Sequence, residues 1–313
     1  MSEGYQRRDR AIVDYRLWRP WSGGDALRGP APPSLEPGSY FACIGAAQTF
    51  GCFVERPWPA LLADVLGLPV LNLGIAGAGP RLFLEPSFRP LLHGARLCVF
   101  QVMSGRSADC SRFQSGGRER LRVRADGRVL GADAAWREVL QADLGGLRNP
   151  LWRGLVNRWR ACFGRTEVRR LVRETQDDWV NSFRELLDAT RAPKLLFWFS
   201  RRTPRFRPRY HSLRALLGEF PQLVDERMVA AVRAHADSYV ECVSARGSPQ
   251  RLVDPSGAPA TVKPADAGTG EREAEVWTHN AYYPSPQMHE DAARALAPAV
   301  RALVADLRSP AGA

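Results

Sequence analysis

Short apolar runs alternate along the chain with longer stretches of helical periodicity. Runs of this length between turn residues are typical of buried strands, whereas apolar positions spaced three and four apart indicate helices. The strands are predicted at residues 40–44, 70–73, 96–102, 194–200 and 239–243, and the helices at 60–66, 167–190, 222–237 and 292–307. Because strands separated by helices form parallel sheets covered on both faces, the pattern predicts a three-layer α/β/α fold with right-handed crossovers.

The alternation is interrupted after the third predicted strand. Residues 104–133 are polar and rich in Gly, Ser and Arg, and an Asp-Gly turn within 121–130 predicts a hairpin. We therefore expect an insertion near 104–165 in a single α/β domain spanning 39–313, with residues 1–38 as an N-terminal extension packed on that core. A chain of 313 residues, 45% of them hydrophobic, is long enough to bury one large core.

Ligands of parallel α/β sheets bind beyond the carboxyl ends of the strands. Four predicted loops leave the strands at that edge, at residues 45–51, 74–79, 104–107 and 200–207. The second loop is rich in glycine, which lets a backbone come close to a ligand. We expect these four loops to form the rim of one binding site.

The first loop reads Gly-Ala-Ala-Gln-Thr-Phe-Gly over residues 45–51, and the second follows Val-Leu-Asn-Leu-Gly at 70–74. Both resemble the first two sequence blocks of the SGNH, or GDSL-like, hydrolases, which read Gly-Asp-Ser-x-Thr-x-Gly and Asn-x-Gly. Thr49 and both glycines of the first block match that pattern. Ala46 and Ala47, however, stand in place of the Asp and the nucleophilic Ser.

The catalytic histidine of the same family lies in an Asp-x-x-His pattern before a C-terminal helix. His289 matches it, whereas Pro286 stands where the Asp belongs, and residues 103–107 lack the Asn of the third block. The resemblance implies a parallel, flavodoxin-like sheet with a divergent site. The whole chain, from residues 12–16 to the Tyr-Tyr-Pro-Ser-Pro segment at 282–286, also resembles a bacterial family of unknown function, which adds coverage without adding an activity.

Ala47 has no heteroatom, so an acyl-enzyme cannot form at that position. Two function classes remain open. In the first, the protein is a divergent transferase or hydrolase acting on a small or carbohydrate substrate with an anionic group. His289 would then act as the general base, and Ser104, Ser107 or Thr49 would replace the nucleophile or bind substrate. In the second, a noncatalytic relative keeps the pocket to bind a carbohydrate or a small anion. The retained His289 favours the first class.

Arginines at the rim are candidates for anion binding. Arg106, Arg201 and Arg202 follow predicted strands, and a guanidinium offers a planar fork to a carboxylate, phosphate or sulfate. Solvated or structurally paired arginine is the plainer alternative. Tyr283 could stack on a sugar ring, or pack on the core in a rigid loop between prolines. The remaining predicted substrate contacts are Ala47, Gln48, Thr49, Gly74 and Gly77, of which the glycines could offer N–H groups to an oxyanion.

The formal net charge of +11 favours anionic ligands. Nearly all the basic residues are Arg, with Lys only at 194 and 263, and no zinc finger, RRM or other nucleic-acid motif is present. The glycines of the second loop do not follow the dinucleotide-binding order. We therefore expect neither a specific nucleic-acid partner nor a cofactor.

Six cysteines show no C-x-x-C pairing, and several lie in predicted strands, so reduced core thiols are expected rather than disulfides or a metal site. Cys52 is the exception, because a thiol just after the first loop could be a displaced nucleophile if arginines stabilised its thiolate.

No apolar run approaches the roughly 20 residues that span a bilayer, and the N-terminus lacks an apolar signal core. This favours a cytoplasmic protein, and the oligomeric state stays open.

Overall fold

The computed structural model describes residues 2–142, 166–263 and 276–306. In chain order its elements are α1 (Ser2–Asp9), β1 (Phe41–Gly45), α2 (Ala47–Phe50), α3 (Trp58–Leu66), β2 (Val70–Gly74), α4 (Arg89–Gly94), β3 (Cys98–Gln101), β4 (Phe113–Gln114), β5 (Arg120–Val123), β6 (Val129–Gly131), α5 (Ala132–Ala142), α6 (Thr166–Ala189), β7 (Lys194–Ser200), α7 (Leu213–Leu217), α8 (Glu226–Arg233), β8 (Ser238–Val243), β9 (Gln250–Arg251), β10 (His279–Asn280) and α9 (Pro286–Asp306). Short 3-10 turns cover Pro80–Leu84 and Gly105–Ser107.

Five parallel strands form the central sheet, in the order β2-β1-β3-β7-β8. If these five strands are numbered 1 to 5 in chain order, the sheet order reads 2-1-3-4-5, which is the order of flavodoxin-like folds. Gly45 at the end of β1 pairs with Gly74 at the end of β2, so the first and second loops leave the sheet side by side. The predicted parallel α/β sheet is confirmed.

Alternate residues of the strands face opposite layers. In β1, Phe41 and Cys43 face a core shared with α3 and α9, whereas Ala42 and Ile44 face a core shared with α4, α6 and α8. Burial on both faces explains why these strands read as continuous apolar runs. The three-layer prediction is therefore confirmed as well. Within the described ranges, none of the helices is long and apolar enough to cross a membrane.

Two helices begin at least four residues away from their predicted starts. The last helix begins at Pro286 rather than at 292, because proline suits the first helical position and the Ser285 hydroxyl accepts the Met288 N–H at 3.2 Å. The helix predicted at 222–237 begins only after Asp225, whose carboxylate caps α8. Capping side chains thus set both starts.

After β3 the chain builds a small antiparallel sheet in the order β4-β5-β6. The predicted hairpin is present, since Leu121 pairs with Leu130 and Gly127 adopts a φ of 73° in the turn. Trp136 of α5 packs against Phe113 in a core separate from those of the central sheet. This unit falls within the range 104–165, where the sequence predicts an insertion, and the insertion itself stays a prediction. Residues 143–165 lie outside the described ranges.

Arg28 fastens the N-terminal segment to the first loop. It is 3% exposed, and its guanidinium donates to four backbone carbonyls of residues 50–55 at 2.6 to 3.2 Å. The ring of Tyr15 lies 4.8 Å from the same guanidinium. Burial lowers the pKa of Arg28 to about 10, which still leaves the group charged at neutral pH. The boundary of an extension at residue 38 stays a prediction.

We predict that Arg28→Ala lowers the free energy of unfolding by about 3 kcal/mol or more, because buried carbonyls lose their donors. Arg7→Ala, which removes an equal charge from an exposed position of the same segment, should change it by less than about 0.5 kcal/mol. Urea unfolding followed by circular dichroism measures both. Equal losses in the two variants would contradict the role given to Arg28.

Candidate functional site

Buried amide side chains lock the first two loops to each other and to the end of β3. Gln101 Oε1 accepts from Thr49 Oγ1 at 2.6 Å and from the Ala46 N–H at 3.3 Å. Asn72 donates from Nδ2 to the Thr49 carbonyl at 3.1 Å, and its Oδ1 accepts the Gly74 N–H at 2.8 Å. Thr49, predicted to contact substrate, is completely buried and holds the loops together.

Close packing accounts for Gly74, and a left-handed backbone conformation accounts for Gly77. A Cβ on Gly74 would overlap the backbone of Phe50. The N–H of Gly74 already donates to Asn72, so it is not directed toward an oxyanion. Gly77 has a φ of 67°, in the left-handed region that favours glycine, and its carbonyl accepts the Glu119 N–H at 2.9 Å.

Ala47 and Gln48 open the single turn α2, and both are almost completely buried. Ala47 packs in an apolar cluster with Phe50 and Tyr283. Gln48 Oε1 has no hydrogen-bond partner among the residues that the structure describes. The position where the resemblance expects a serine hydroxyl therefore offers only a methyl group.

His289 lies in the first turn of α9 and is completely buried. Its Nδ1 accepts the backbone N–H of Trp58 at 3.0 Å, and the ring of Phe199 packs edge-on at 5.5 Å. Trp58 is the first residue of α3, and the preceding Pro57 supplies no side-chain cap. Because the first N–H groups of a helix lack intrahelical partners, His289 caps α3 from another element. This gives the histidine a structural reason to be present.

The same hydrogen bond assigns the proton of the ring. A neutral imidazole that accepts at Nδ1 carries its proton on Nε2. Burial, reinforced by the nearby charge of Arg28, lowers the pKa of His289 to about 3. At pH 7 the ring is neutral and presents an N–H at Nε2, for which the described residues offer no partner. No nitrogen lone pair is left to accept a proton, so the geometry does not support His289 as a general base.

Ser104 and Ser107 form hydrogen bonds within the turn of the third loop. Ser104 is buried, its Oγ accepts the Arg106 N–H at 3.3 Å, and its carbonyl accepts the Ser107 hydroxyl at 3.0 Å. This arrangement is that of a capping residue at the start of a helical turn. Neither hydrogen bond involves a histidine, so Ser104, the predicted replacement nucleophile, is not paired with a base.

Two of the rim arginines brace the segment before α9. Arg106 donates from Nε and Nη2 to the two carboxylate oxygens of Glu119, each at 2.9 Å, and also to the Tyr282 hydroxyl at 3.1 Å. The carboxylate of Asp133 accepts from Arg106 Nη1 at 2.6 Å. Arg201 Nη1 donates to the Ala281 carbonyl at 2.7 Å. The paired alternative therefore describes Arg106 better than an open anion clamp.

Arg202 points away from the rim. It donates to backbone carbonyls of residues 219–224 and lies between the rings of Trp198 and Phe206, at 5.0 and 4.9 Å. Trp198 belongs to the core on the α6 face of the sheet, whereas the neighbours of His289 belong to the opposite core. Arg202 and His289 consequently do not share a pocket.

Tyr283 closes the rim. Its hydroxyl donates to that of Tyr5 at 3.1 Å, and its ring packs edge-on against Phe53 at 5.7 Å. A cavity of about 20 Å³ remains beside it, bordered by Gln48 and Tyr282. A space of this size holds about one water molecule. Packing on the core, rather than stacking on a sugar, is the arrangement that Tyr283 adopts.

Cys52 is completely buried, and burial raises the pKa of its thiol. A protonated, enclosed thiol is not a nucleophile, so the geometry does not support the displaced-nucleophile hypothesis. The five described cysteines are free and buried, and Cys162 lies outside the described residues. In the same part of the chain, no group of three His, Cys, Asp or Glu side chains is placed to hold a metal ion.

A much larger cavity, of about 810 Å³, lies beside the segment that follows β7. Its arginines are exposed, and none of them was singled out from the sequence for ligand binding: Arg205, Arg207, Arg209, Arg214 and Arg227. Arginine at every second position over residues 205–209 is the sequence signal for it, because alternate side chains of an extended segment point to the same side.

The chain belongs to the family described as "Domain of unknown function (DUF6473)", whose model matches residues 4–304. The resemblance to a family of unknown function is thereby confirmed. No curated protein matches the sequence.

Three solved structures share limited similarity with the chain. A carbohydrate esterase family 2 enzyme with a carbohydrate-binding domain, from Corynascus thermopiles (Myceliophthora fergusii), is 14% identical with a TM-score of 0.36, over 90% of this chain and 70% of that one. A candidate SGNH hydrolase from Slackia heliotrinireducens is 15% identical with a TM-score of 0.36, over 84% and 99%. A carbohydrate acetylesterase family member from Sinorhizobium meliloti is 13% identical with a TM-score of 0.35, over 85% and 99%.

The buried histidine predicts a loss of stability in acid. The pKa of His289 is about 3 in the fold and 6.5 in an unperturbed imidazole, so the unfolded state binds the proton first as the pH falls. The stability that neutral His289 contributes is complete above pH 6.5 and is lost toward pH 3, with about 2 kcal/mol lost between pH 7 and pH 5. Urea unfolding at both pH values should show this loss in the wild type and not in His289→Gln. Identical pH dependence in the two proteins would contradict the assignment.

Proposed function

We propose that this member of the DUF6473 family is a noncatalytic protein that binds a small molecule or a carbohydrate through an anionic group. It keeps the α/β scaffold and hydrolase-like loops without the groups that would convert a bound ester. The observation that carries the proposal is the hydrogen bond from the Trp58 N–H to His289 Nδ1. Together with Ala47, this bond removes both the base and the nucleophile.

Acyl transfer at this rim needs a nucleophile, a base, a carboxylate that orients the base, and a donor for the oxyanion. Ala47 carries no nucleophilic atom. His289 has its proton on Nε2, and Pro286 occupies the position of the orienting carboxylate. The N–H of Gly74 is bonded to Asn72. The four losses have separate physical origins, so restoring one of them does not restore the chemistry.

The binding half of the proposal rests on charge. The net charge of +11 raises the local concentration of anions around the protein. Guanidinium groups, which supply nearly all of this charge, match the planar geometry of phosphate, sulfate and carboxylate oxygens. A sugar or small molecule bearing such a group is therefore the proposed class of ligand.

One observation favours a second function, that of a divergent hydrolase or transferase. His289 Nε2 and Gln48 Oε1 are both buried without hydrogen-bond partners in the described part of the chain. Buried polar groups are nearly always paired, and an unpaired one needs an explanation such as a ligand, a catalytic role or an ordered water. In this function the Nε2–H of His289 would donate to a substrate oxygen, and Ser104 would bind the substrate.

We predict no turnover of p-nitrophenyl acetate or of acetylated sugars above background, because Ala47 carries no nucleophile. Ala47→Ser should be equally inactive, since His289 cannot take the proton of the new serine. The assay follows released nitrophenolate or acetate, and the double variant Ala47→Ser, His289→Gln is the matched control. A wild-type rate that disappears in His289→Gln would establish the second function instead.

Binding is tested by melting temperature and calorimetry with glucose 6-phosphate, glucose 6-sulfate and glucuronate, with neutral glucose as the control. At ligand concentrations tenfold above the Kd, an anionic ligand should stabilise the fold by about 1.4 kcal/mol, and glucose should not. If glucose stabilises the protein as well as the charged sugars do, or if no anion binds, the proposed binding function is wrong.

A further inference from the structure

We propose that the anion site is the large cavity beside the segment after β7, and that its ligand is a small molecule carrying two or more phosphate or sulfate groups. We call this cavity the basic cleft, defined by Arg205, Arg207, Arg209, Arg214 and Arg227. The inference rests on the proposed function and gives it a place and a ligand class. The cleft follows the carboxyl end of β7, at the edge where α/β sheets bind ligands, but it is separate from the sealed rim at Ala47.

The size of the basic cleft suits a small molecule. Its volume of about 810 Å³ lies within the range of roughly 300 to 1,000 Å³ typical of small-molecule sites. One wall is the segment 205–215 and the other is the start of α8, which contributes Arg227. The cavity at the rim, of about 20 Å³, offers no comparable space.

The positive charge of the cleft is only partly compensated within the fold. Ion pairs hold arginines elsewhere in the molecule, such as Arg106 and Arg118. In the ranges that the structure describes, none of the five cleft arginines forms an ion pair. Two carboxylates also line the cleft, Asp225 and Glu226, and the first of them is engaged in capping α8. Five guanidinium groups therefore face two carboxylates, and their mutual repulsion is relieved when an anion binds.

Local contacts anchor the segment that presents four of these arginines. A Cβ on Gly218 would overlap the ring of Phe206, so the two segments lie in close contact. The Arg209 N–H donates to the Ala215 carbonyl at 2.9 Å, and the leucines at the end of α7 are buried. Arg205, Arg207, Arg209 and Arg214 thus line the cleft from an anchored segment, whereas Arg227 lines it from α8 and donates from Nη2 to Gln176 Oε1 at 3.3 Å. An anchored wall reduces the entropy lost when a ligand binds.

The number of arginines points to a ligand with several anionic groups. Each guanidinium can bind one phosphate or sulfate through two parallel hydrogen bonds, and a single monovalent group cannot engage five of them. Single-stranded nucleic acid is a less suitable occupant, because such sites add aromatic rings on which bases stack. Two rings line the described cleft, those of Phe206 and His211, and the ring of Phe206 is covered on one side by Arg202 at 4.9 Å.

The test compares two triple variants of the full chain by calorimetry at 0.15 M salt. The cleft variant is Arg205→Ala, Arg209→Ala, Arg214→Ala, and the control is Arg7→Ala, Arg191→Ala, Arg301→Ala, which removes the same charge from exposed positions elsewhere. The probes are tripolyphosphate and a sulfated disaccharide, with inorganic phosphate and a 12-nucleotide single strand as references. Tripolyphosphate binding should weaken at least about 10-fold in the cleft variant and less than about twofold in the control.

Melting temperatures establish that both variants fold, and Arg207→Ala alone provides a milder second test with the same direction of change. Equal weakening in the cleft and control variants would show nonspecific attraction and overturn the inference. Tighter cleft-dependent binding of the oligonucleotide than of tripolyphosphate would overturn the ligand class. Anion binding that survives in the cleft variant would leave the proposed function intact and refute only this site, whereas a wild type that binds no anion would refute both.

Discussion

The hydrogen bond from the Trp58 backbone N–H to His289 Nδ1 joins the two helices that cover one face of the sheet. It gives α3 the cap that Pro57 does not supply, and it keeps the imidazole neutral with its proton on Nε2. In a hydrolase triad, Nδ1 carries the proton and donates to a carboxylate, which leaves Nε2 free to accept. In His289, Nδ1 accepts instead, so the proton lies on Nε2. While α3 is capped in this way, the Nδ1 lone pair is occupied by the Trp58 N–H, which is the basis for proposing a noncatalytic role.

The surrounding loops follow the same principle, because buried polar groups must find partners inside the fold. Gln101 and Asn72 use their amides to tie the first two loops together, and Arg28 satisfies carbonyls of the segment that leads to α3. Tyr283, bonded to the Tyr5 hydroxyl, leaves only a cavity of about 20 Å³ at the rim. The polar groups of the rim loops are therefore bonded mainly to one another. His289 caps α3, and Gly74 allows close packing of the first two loops. An excess of positive charge is found instead at the basic cleft, which five arginines line together with Asp225 and Glu226.

The sheet and the helix over 167–190 could be predicted because strands buried on both faces and a helix with one apolar stripe leave clear periodicities. The loss of the nucleophile could also be read directly, from Ala47. The direction in which a polar side chain points could not be predicted from the sequence. His289 meets a backbone group 231 residues away, and Arg202 finds carbonyls 17 to 22 residues farther along, partners that exist only after folding. The orientation of the imidazole, rather than its presence, decides the chemistry.

Long-range 1H–15N NMR of the His289 ring at pH 7 tests the central claim most directly. The capping role predicts a proton on Nε2 and none on Nδ1, with no change in the ring between pH 7 and pH 5. A proton on Nδ1, or a ring that titrates between pH 5 and pH 8, would contradict it and would return His289 to the role of a general base.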